Sequence, residues 1–252
     1  MNDCKVNIAV IIPTCDRPEF LKESIASVRS QTLTPAEIII CDNGYIQEIL
    51  FPLRENEFHI KLTAKVGASA ARNAGLFLTE QEFVAFLDDD DIWHPRFLEM
   101  AHKRIQADGA DCVFGRRNKL VEGQVNEMEP PEPRHLVISY LICKNPFFGG
   151  QNILLKSAIA KALGGYDINL PRANDTGFLI DLLLYGAKVS IEPEAVAYFR
   201  DHGGPRVTSH HWRRWRLLWK YAGNVPLRDL AIAIIYFIYG GTKKMLLRSI
   251  AK

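Results

Sequence analysis

The chain has 252 residues, 48% of them hydrophobic and 24% charged, and 31 Lys and Arg against 29 Asp and Glu give a formal net charge of +2. This is the profile of a soluble globular protein with enough apolar content for one large core. Five cysteines, Cys4, Cys15, Cys41, Cys112 and Cys143, are odd in number and lack CxxC spacing, which argues against a disulfide framework or a zinc site and fits a reducing, cytoplasmic setting.

In chain order, residues 6–12 form a short apolar run that stops at Pro13, with Asp3 and Lys5 ahead of it. It reads as a buried strand rather than a secretory signal. Residues 18–31 carry Leu21, Ile25 and Val28 at helical spacing, and residues 38–41 form a second strand, so the start of the chain is a βαβ unit. A helix is expected over residues 68–78, then a strand over 83–87, a helix near 95–106 and a strand over 111–115. Such alternation predicts a mainly parallel, Rossmann-like α/β sheet covered by helices on both faces, with ligands at the carboxyl ends of its strands.

Asp42, Asn43 and the run Asp88 to Asp91 all fall at such ends. Four adjacent carboxylates repel one another by about 1 kcal/mol per pair even in water, so the run needs compensation. A metal ion would supply it; so would a solvated turn in which Asp91 caps a helix starting near Pro95.

Residues 121–134 are acidic and carry Pro130, Pro131 and Pro133, the composition of a mobile loop. Gly149, Gly150, Gln151 and Asn152 precede a further strand, where glycines either mark a turn or let backbone approach a ligand. Residues 175–185 are spaced as a helix with Gly186 past its end, and Asp175 at its start is an N-cap, a functional carboxylate, or both. Residues 206–252 hold ten Lys or Arg and one acidic residue, leaving 21 basic against 28 acidic residues in the preceding body. In this tail Trp212, Trp215, Leu218, Trp219 and Ala222 share one face of a helical wheel, opposite Arg213, Arg216 and Lys220. That face suits a bilayer interface, and packing on the body or on a second subunit would use it equally. The ten apolar residues 230–239 fall well short of the roughly 20 needed to span a bilayer.

An ordered series of motifs resembles the inverting family 2 glycosyltransferases of the GT-A fold, over about residues 6–202. It comprises Ile11-Ile12-Pro13-Thr14-Cys15-Asp16-Arg17, Ser27-Val28-Arg29-Ser30-Gln31-Thr32, Glu37-Ile38-Ile39-Ile40-Cys41-Asp42-Asn43-Gly44, Gly67-Ala68-Ser69-Ala70-Ala71-Arg72-Asn73-Ala74-Gly75, Phe86-Leu87-Asp88-Asp89-Asp90-Asp91-Ile92-Trp93-His94-Pro95 and Asn174-Asp175. The resemblance implies a GT-A catalytic domain over residues 1–205, its nucleotide-binding half about 1–115 and its acceptor half about 116–205, with residues 206–252 as a C-terminal helical extension. It implies a nucleotide-sugar donor, a glycan or lipid-linked acceptor as in bacterial polysaccharide or lipopolysaccharide synthesis, and Mn²⁺ or Mg²⁺ at the diphosphate.

By the same resemblance Asp88, Asp89 and Asp90 form a D-x-D-type element, with Asp90 and Asp88 as metal ligands and Asp88 and Asp89 near the donor. Pro13, Thr14, Asp16, Arg17, Asp42 and Asn43 hold the nucleoside end, and Arg72 meets the donor. Asp175 is the base that accepts the acceptor's proton, and His202 approaches the diphosphate or metal, or is an ordinary surface histidine. Asn43 stands where the family has a second aspartate that meets the uracil ring; its amide can still accept from a ring N–H and donate to a ring carbonyl, so uridine is favoured with guanine and thymine still open. Asn174 stands where the family often has glutamate, so the base is retained while its neighbour loses a charge. The tail places the protein peripherally on the anionic inner face of the cell membrane. A nucleic-acid partner would leave the acidic site unexplained. A sugar nucleotidylyltransferase would need a glycine-rich loop where Pro13 to Arg17 stand, and a non-catalytic binding module has no use for Asp175. Oligomeric state has no signal in the sequence.

Overall fold

The structure, a computed structural model, describes residues 6–45, 49, 51–62, 65–145, 147–170, 173–200 and 215–238. His202, Trp212, Arg213, Arg214 and the segment 239–252 lie outside the described residues, as does Cys4.

The chain runs β1 (Val6–Thr14), α1 (Pro18–Arg29), β2 (Pro35–Asp42), β3 (Glu57–Lys61), α2 (Ala68–Leu78), β4 (Phe83–Phe86), β5 (Ile92–Trp93), α3 (Phe97–Asp108), β6 (Cys112–Val121) and β7 (Gln124–Asn126). It continues with α4 (Ile138–Cys143), β8 (Ile153–Lys156), α5 (Ser157–Ala162), α6 (Asn174–Tyr185), β9 (Val189–Arg200), α7 (Trp215–Tyr221) and α8 (Leu227–Ile238). One sheet takes the order β3-β2-β1-β4-β8-β6-β9-β5, with β7 paired to β6. Pairing is parallel from β3 through β4. Beyond it β8 is antiparallel to both β4 and β6, while β6 and β9 are parallel. The sheet is therefore parallel over β3, β2, β1 and β4 and mixed in the rest.

Strand periodicity divides the core. Ile8, Val10 and Ile12 of β1 meet α1 and α3 residues such as Leu21, Ile25, Phe97 and Ile105 on one face, while Ile11 meets Ala71 and Leu76 of α2 on the other. The second layer extends through Phe178 and Leu182 of α6 to Leu217, Leu218, Tyr221, Val225, Ala233 and Tyr236 of the tail. The tail's expected single face is split: Leu218 is buried and Trp215 partly so, but Trp219 is 81% exposed. The packed side of α7 is Leu217, Leu218 and Tyr221, at the i, i+1 and i+4 positions.

Two expectations are corrected. Residues 121–134 are not simply a loop, because β6 and β7 form a hairpin closed by Glu122 and Gly123, both at positive φ, as a two-residue turn between twisted strands requires. Asp91 caps no helix. The short β5 follows it and pairs with β9, so α3 starts only at Phe97 with Arg96 as its N-cap and no side-chain bond there.

Candidate active site

The ends of β1, β2 and β4 and the start of α6 bring the motif residues together. Thr14 Oγ1 donates to Asp89 Oδ2 at 2.9 Å, and the Cys15 amide donates to the same oxygen at 3.3 Å. Arg17 Nη1 donates to Asp89 Oδ1 at 3.2 Å and to Asp90 Oδ2 at 2.6 Å. Arg72 pairs with Asp88, and Asp91 Oδ1 accepts the Arg200 amide at 3.0 Å. Every aspartate of the run thus has a donor, Arg72 for Asp88, Arg17 shared by Asp89 and Asp90, and the Arg200 amide for Asp91, which answers the repulsion that four adjacent carboxylates carry. Burial raises the Asp89 carboxyl to about 6 against the pull of Arg17. Burial, then Asp88 and Asp90, hold Asp91 well above the carboxylate range.

Arg72 is 4% exposed, on α2, with its guanidinium over the Tyr166 ring at 5.1 Å. On its other side lies Gly150, where an added Cβ would sit 3.2–3.3 Å from the guanidinium. This close approach is what a residue without a Cβ permits. Nη1 of Arg72 lies 3.8 Å from Asp175 Oδ1, and both atoms are buried without a hydrogen-bond partner. Burial raises the Asp175 carboxyl, Arg72 opposing and Asp88 reinforcing the shift. Asp175 is not an N-cap: Ala173 holds that position at φ 66°, and Asp175 lies in the first helical turn. Asn174 ties that turn to α2, its Nδ2 donating to Ser69 Oγ at 3.0 Å.

At the end of β2, Asp42 Oδ2 takes His59 Nε2 at 3.1 Å and Lys61 Nζ at 3.0 Å, while Oδ1 accepts the Gly44 amide. Burial raises this carboxyl, but the Gly44 amide, Lys61 and His59 together hold it below the usual range. Asn43 is buried, with Nδ2 donating to the Thr14 carbonyl at 2.9 Å. Asp16 is at φ 56° in the loop after β1 and pairs with Lys65 at 2.8 Å. Pro13 pairs in register with Cys41, next to Thr14 opposite Asp42.

His59, Lys61 and Tyr166 were not singled out by sequence. His59 and Lys61 stand two apart on an edge strand and so share a face, a signal that could have found them. Tyr166, after the Gly164-Gly165 pair, has none. Among the described residues no three His, Cys, Asp or Glu side chains converge as a ready metal cage. Asp88 and Asp90 nevertheless offer hard oxygens on side chains 29% and 23% exposed. That suffices for an ion that takes one or two carboxylates and completes its shell with phosphate and water.

The glycosyl transferase family 2 model matches residues 9–162, more than half the chain. A glucosyltransferase of Escherichia coli acting on an α-D-GlcNAc-diphosphoundecaprenol is 31% identical over 112 residues, 43% of this chain and 44% of that protein. The poly(ribitol-phosphate) β-N-acetylglucosaminyltransferase TarP of Staphylococcus aureus is 28% identical over 201 residues, 76% of this chain and 62% of that one. The chain therefore spans less than two thirds of both. S. aureus TarS in complex with UDP-GlcNAc superposes with a TM-score of 0.71 at 19% identity, over 92% of this chain and 71% of that one, which establishes the GT-A fold.

Proposed function

Because the chain belongs to glycosyl transferase family 2, we propose that it moves a sugar from a uridine diphosphate donor to a hydroxyl of a glycan or lipid-linked acceptor, with inversion at the anomeric carbon. The bond from that carbon to the diphosphate breaks, a bond to the acceptor oxygen forms, and the hydroxyl proton passes to Asp175. The observation that carries this reading is the Asp175 carboxylate at the start of α6: its Oδ1 is buried 3.8 Å from Arg72 Nη1, while the side chain as a whole is 32% exposed. Arg72 faces one side of the carboxylate, and the exposed remainder is where an acceptor hydroxyl would pass its proton.

Asp88 and Asp90 would hold Mn²⁺ or Mg²⁺, which when bound would neutralise the departing diphosphate. Arg72 adds fixed positive charge to the same place, and Arg17 leaves the aspartates to meet the phosphates. Asn43 and Asp42 meet the base: with Nδ2 of Asn43 on Thr14, its Oδ1 is the acceptor for a ring N–H. His202 stays a candidate for the diphosphate. Residues 210–252 would rest on an anionic membrane surface at the inner face of the cell membrane, a reading supported by exposed Trp219 and Leu227 and by the basic tail. No helix among the described residues is long and apolar enough to cross a membrane.

Two measurements test this. In a thermal-shift panel of nucleoside diphosphates, UDP with Mn²⁺ should raise the melting temperature most, because a ligand bound only by the folded form stabilises it. Asp175→Asn should keep that shift while transfer falls by about 10² to 10⁴ fold. A panel without any stabilising diphosphate, or an Asp175→Asn variant transferring at the parent rate, would overturn the assignment.

A further inference from the structure

The helix that carries Asp175 begins without a side-chain cap: its N-cap is Ala173 in the left-handed region, making no capping bond. An uncapped start leaves the first turn prone to fraying, with the Asp175 amide donating locally to Asn174 Oδ1 at 3.0 Å, yet this turn must hold the base still. Three tertiary hydrogen bonds fasten it instead. Asn174 reaches Ser69, Thr176 Oγ1 accepts from Asn145 Nδ2 at 2.9 Å, and the Gly177 carbonyl accepts from the Tyr221 hydroxyl at 3.0 Å. Two come from the catalytic body and the third comes from α7.

That third tie is built with care. Tyr221 is 2% exposed, and its hydroxyl also lies 2.9 Å from Asp181 Oδ1, one turn further along α6. A phenol has one proton, so it lies between two acceptors, and Lys220 supplies the balancing charge. Its Nζ stands 3.1 Å from Asp181 and 3.0 Å from Asp167. An added Cβ at Gly177 would press on Leu170 at 2.8 Å and would touch the Tyr221 hydroxyl oxygen only at ordinary contact distance, 3.4 Å.

We infer that α7 is part of the catalytic apparatus, with Tyr221 a positioning residue that locks the first turn of α6 and so fixes the Asp175 carboxylate opposite Arg72. The inference rests on the reading of Asp175 as base. On that reading the tail serves transfer directly, whatever else it binds.

The test uses the full chain and three variants: Tyr221→Phe, which keeps the ring and deletes the hydroxyl; Val225→Ala, which thins the same buried layer away from α6; and Asp175→Asn. Hydrogen exchange of the amides of residues 175–179 should quicken about fivefold in Tyr221→Phe, the scale of one lost hydrogen bond. Release of UDP from whichever UDP-sugar the parent turns over fastest should lose about tenfold in kcat with KM for that donor unchanged, and a parent-like kcat would overturn the inference. Val225→Ala should lower the melting temperature while leaving both the exchange of those amides and kcat as in the parent. Parent-like exchange in Tyr221→Phe, or the same exchange and kcat losses in Val225→Ala, would overturn the inference. Full transfer by Asp175→Asn would remove the base reading instead, with the exchange data still deciding whether α7 locks the turn.

Discussion

Arg17 is bonded to Asp89 and Asp90 at once, so it occupies Asp90, one of the two carboxylates proposed to hold a divalent ion. It is a resident cation, and removing it should sharpen the site's appetite for another. Without nucleotide, Arg17→Ala should bind Mn²⁺ about tenfold more tightly than the parent and Asp90→Asn more weakly, as followed by the loss of the free-ion paramagnetic resonance signal. Weaker binding by Arg17→Ala would make Arg17 a supporter of the site rather than its occupant. Asp175, as the proposed base, gives a pH signature. A base works ionised, and its carboxyl is raised above the ordinary 3.8, so kcat at saturating donor should fall on the acid side at a pH above 3.8. Arg72→Gln removes the charge opposing the shift and should move that limb to still higher pH; an unmoved or lowered limb would separate the two residues. Most of these positions were legible in the sequence because motif order places Thr14, Asp42, Arg72, the aspartates and Asp175 at strand and helix ends. Their individual partners were not: the ring behind Arg72 comes from Tyr166, 94 positions away, and spacing along a chain carries nothing about such a meeting.

Among the elements, α1 and β3 are bound by a buried ion pair. Arg29, in the last turn of α1, reaches Glu57 at the start of β3 at 2.6 Å, with side chains 19% and 1% exposed. Burial pushes the Glu57 carboxyl up, but Arg29 and the Arg54 amide override it and hold it below the usual range. A lowered carboxyl contributes stability above its unfolded value, here 4.5, and loses it as pH falls through the folded one. Glu57→Gln should therefore cost about 2 kcal/mol at pH 7 by urea unfolding, and the gap from the parent should shrink below pH 4.5. An equal gap at both would mean that packing rather than charge is lost. Elements of strong period were readable: α2 falls where the pattern placed it, and α1 and α6 to within two residues. The edge strand β3, the two-residue β5 and the β6–β7 hairpin were not, because short or solvent-facing strands are decided by their pairing partners and turn chemistry rather than by apolar period.

At the scale of the whole molecule the tail decides how the protein may be divided. Leu217, Leu218, Tyr221, Val225, Ala233 and Tyr236 all belong to the layer that covers the sheet. At about 1.5–3 kcal/mol for each large buried side chain, their loss rivals the net stability of a typical domain. A chain cut after Gly204 should aggregate when expressed, as seen by light scattering, and a monodisperse, UDP-binding product would show the layer to be dispensable. Membrane contact must then use what packing leaves over, Trp219 and Leu227 together with the basic residues. The full chain should co-sediment with anionic vesicles at low salt and less at high salt, and absence of binding at both would retire the membrane reading. There is also a consequence in time. A ribosome delivers the strands of the sheet first and α7 and α8 afterwards, so every newly made copy passes through a stage in which the layer covering the sheet is unfinished. Until α7 arrives the start of α6 lacks its Tyr221 tie, and the apolar face that the tail will cover stays open to other chains.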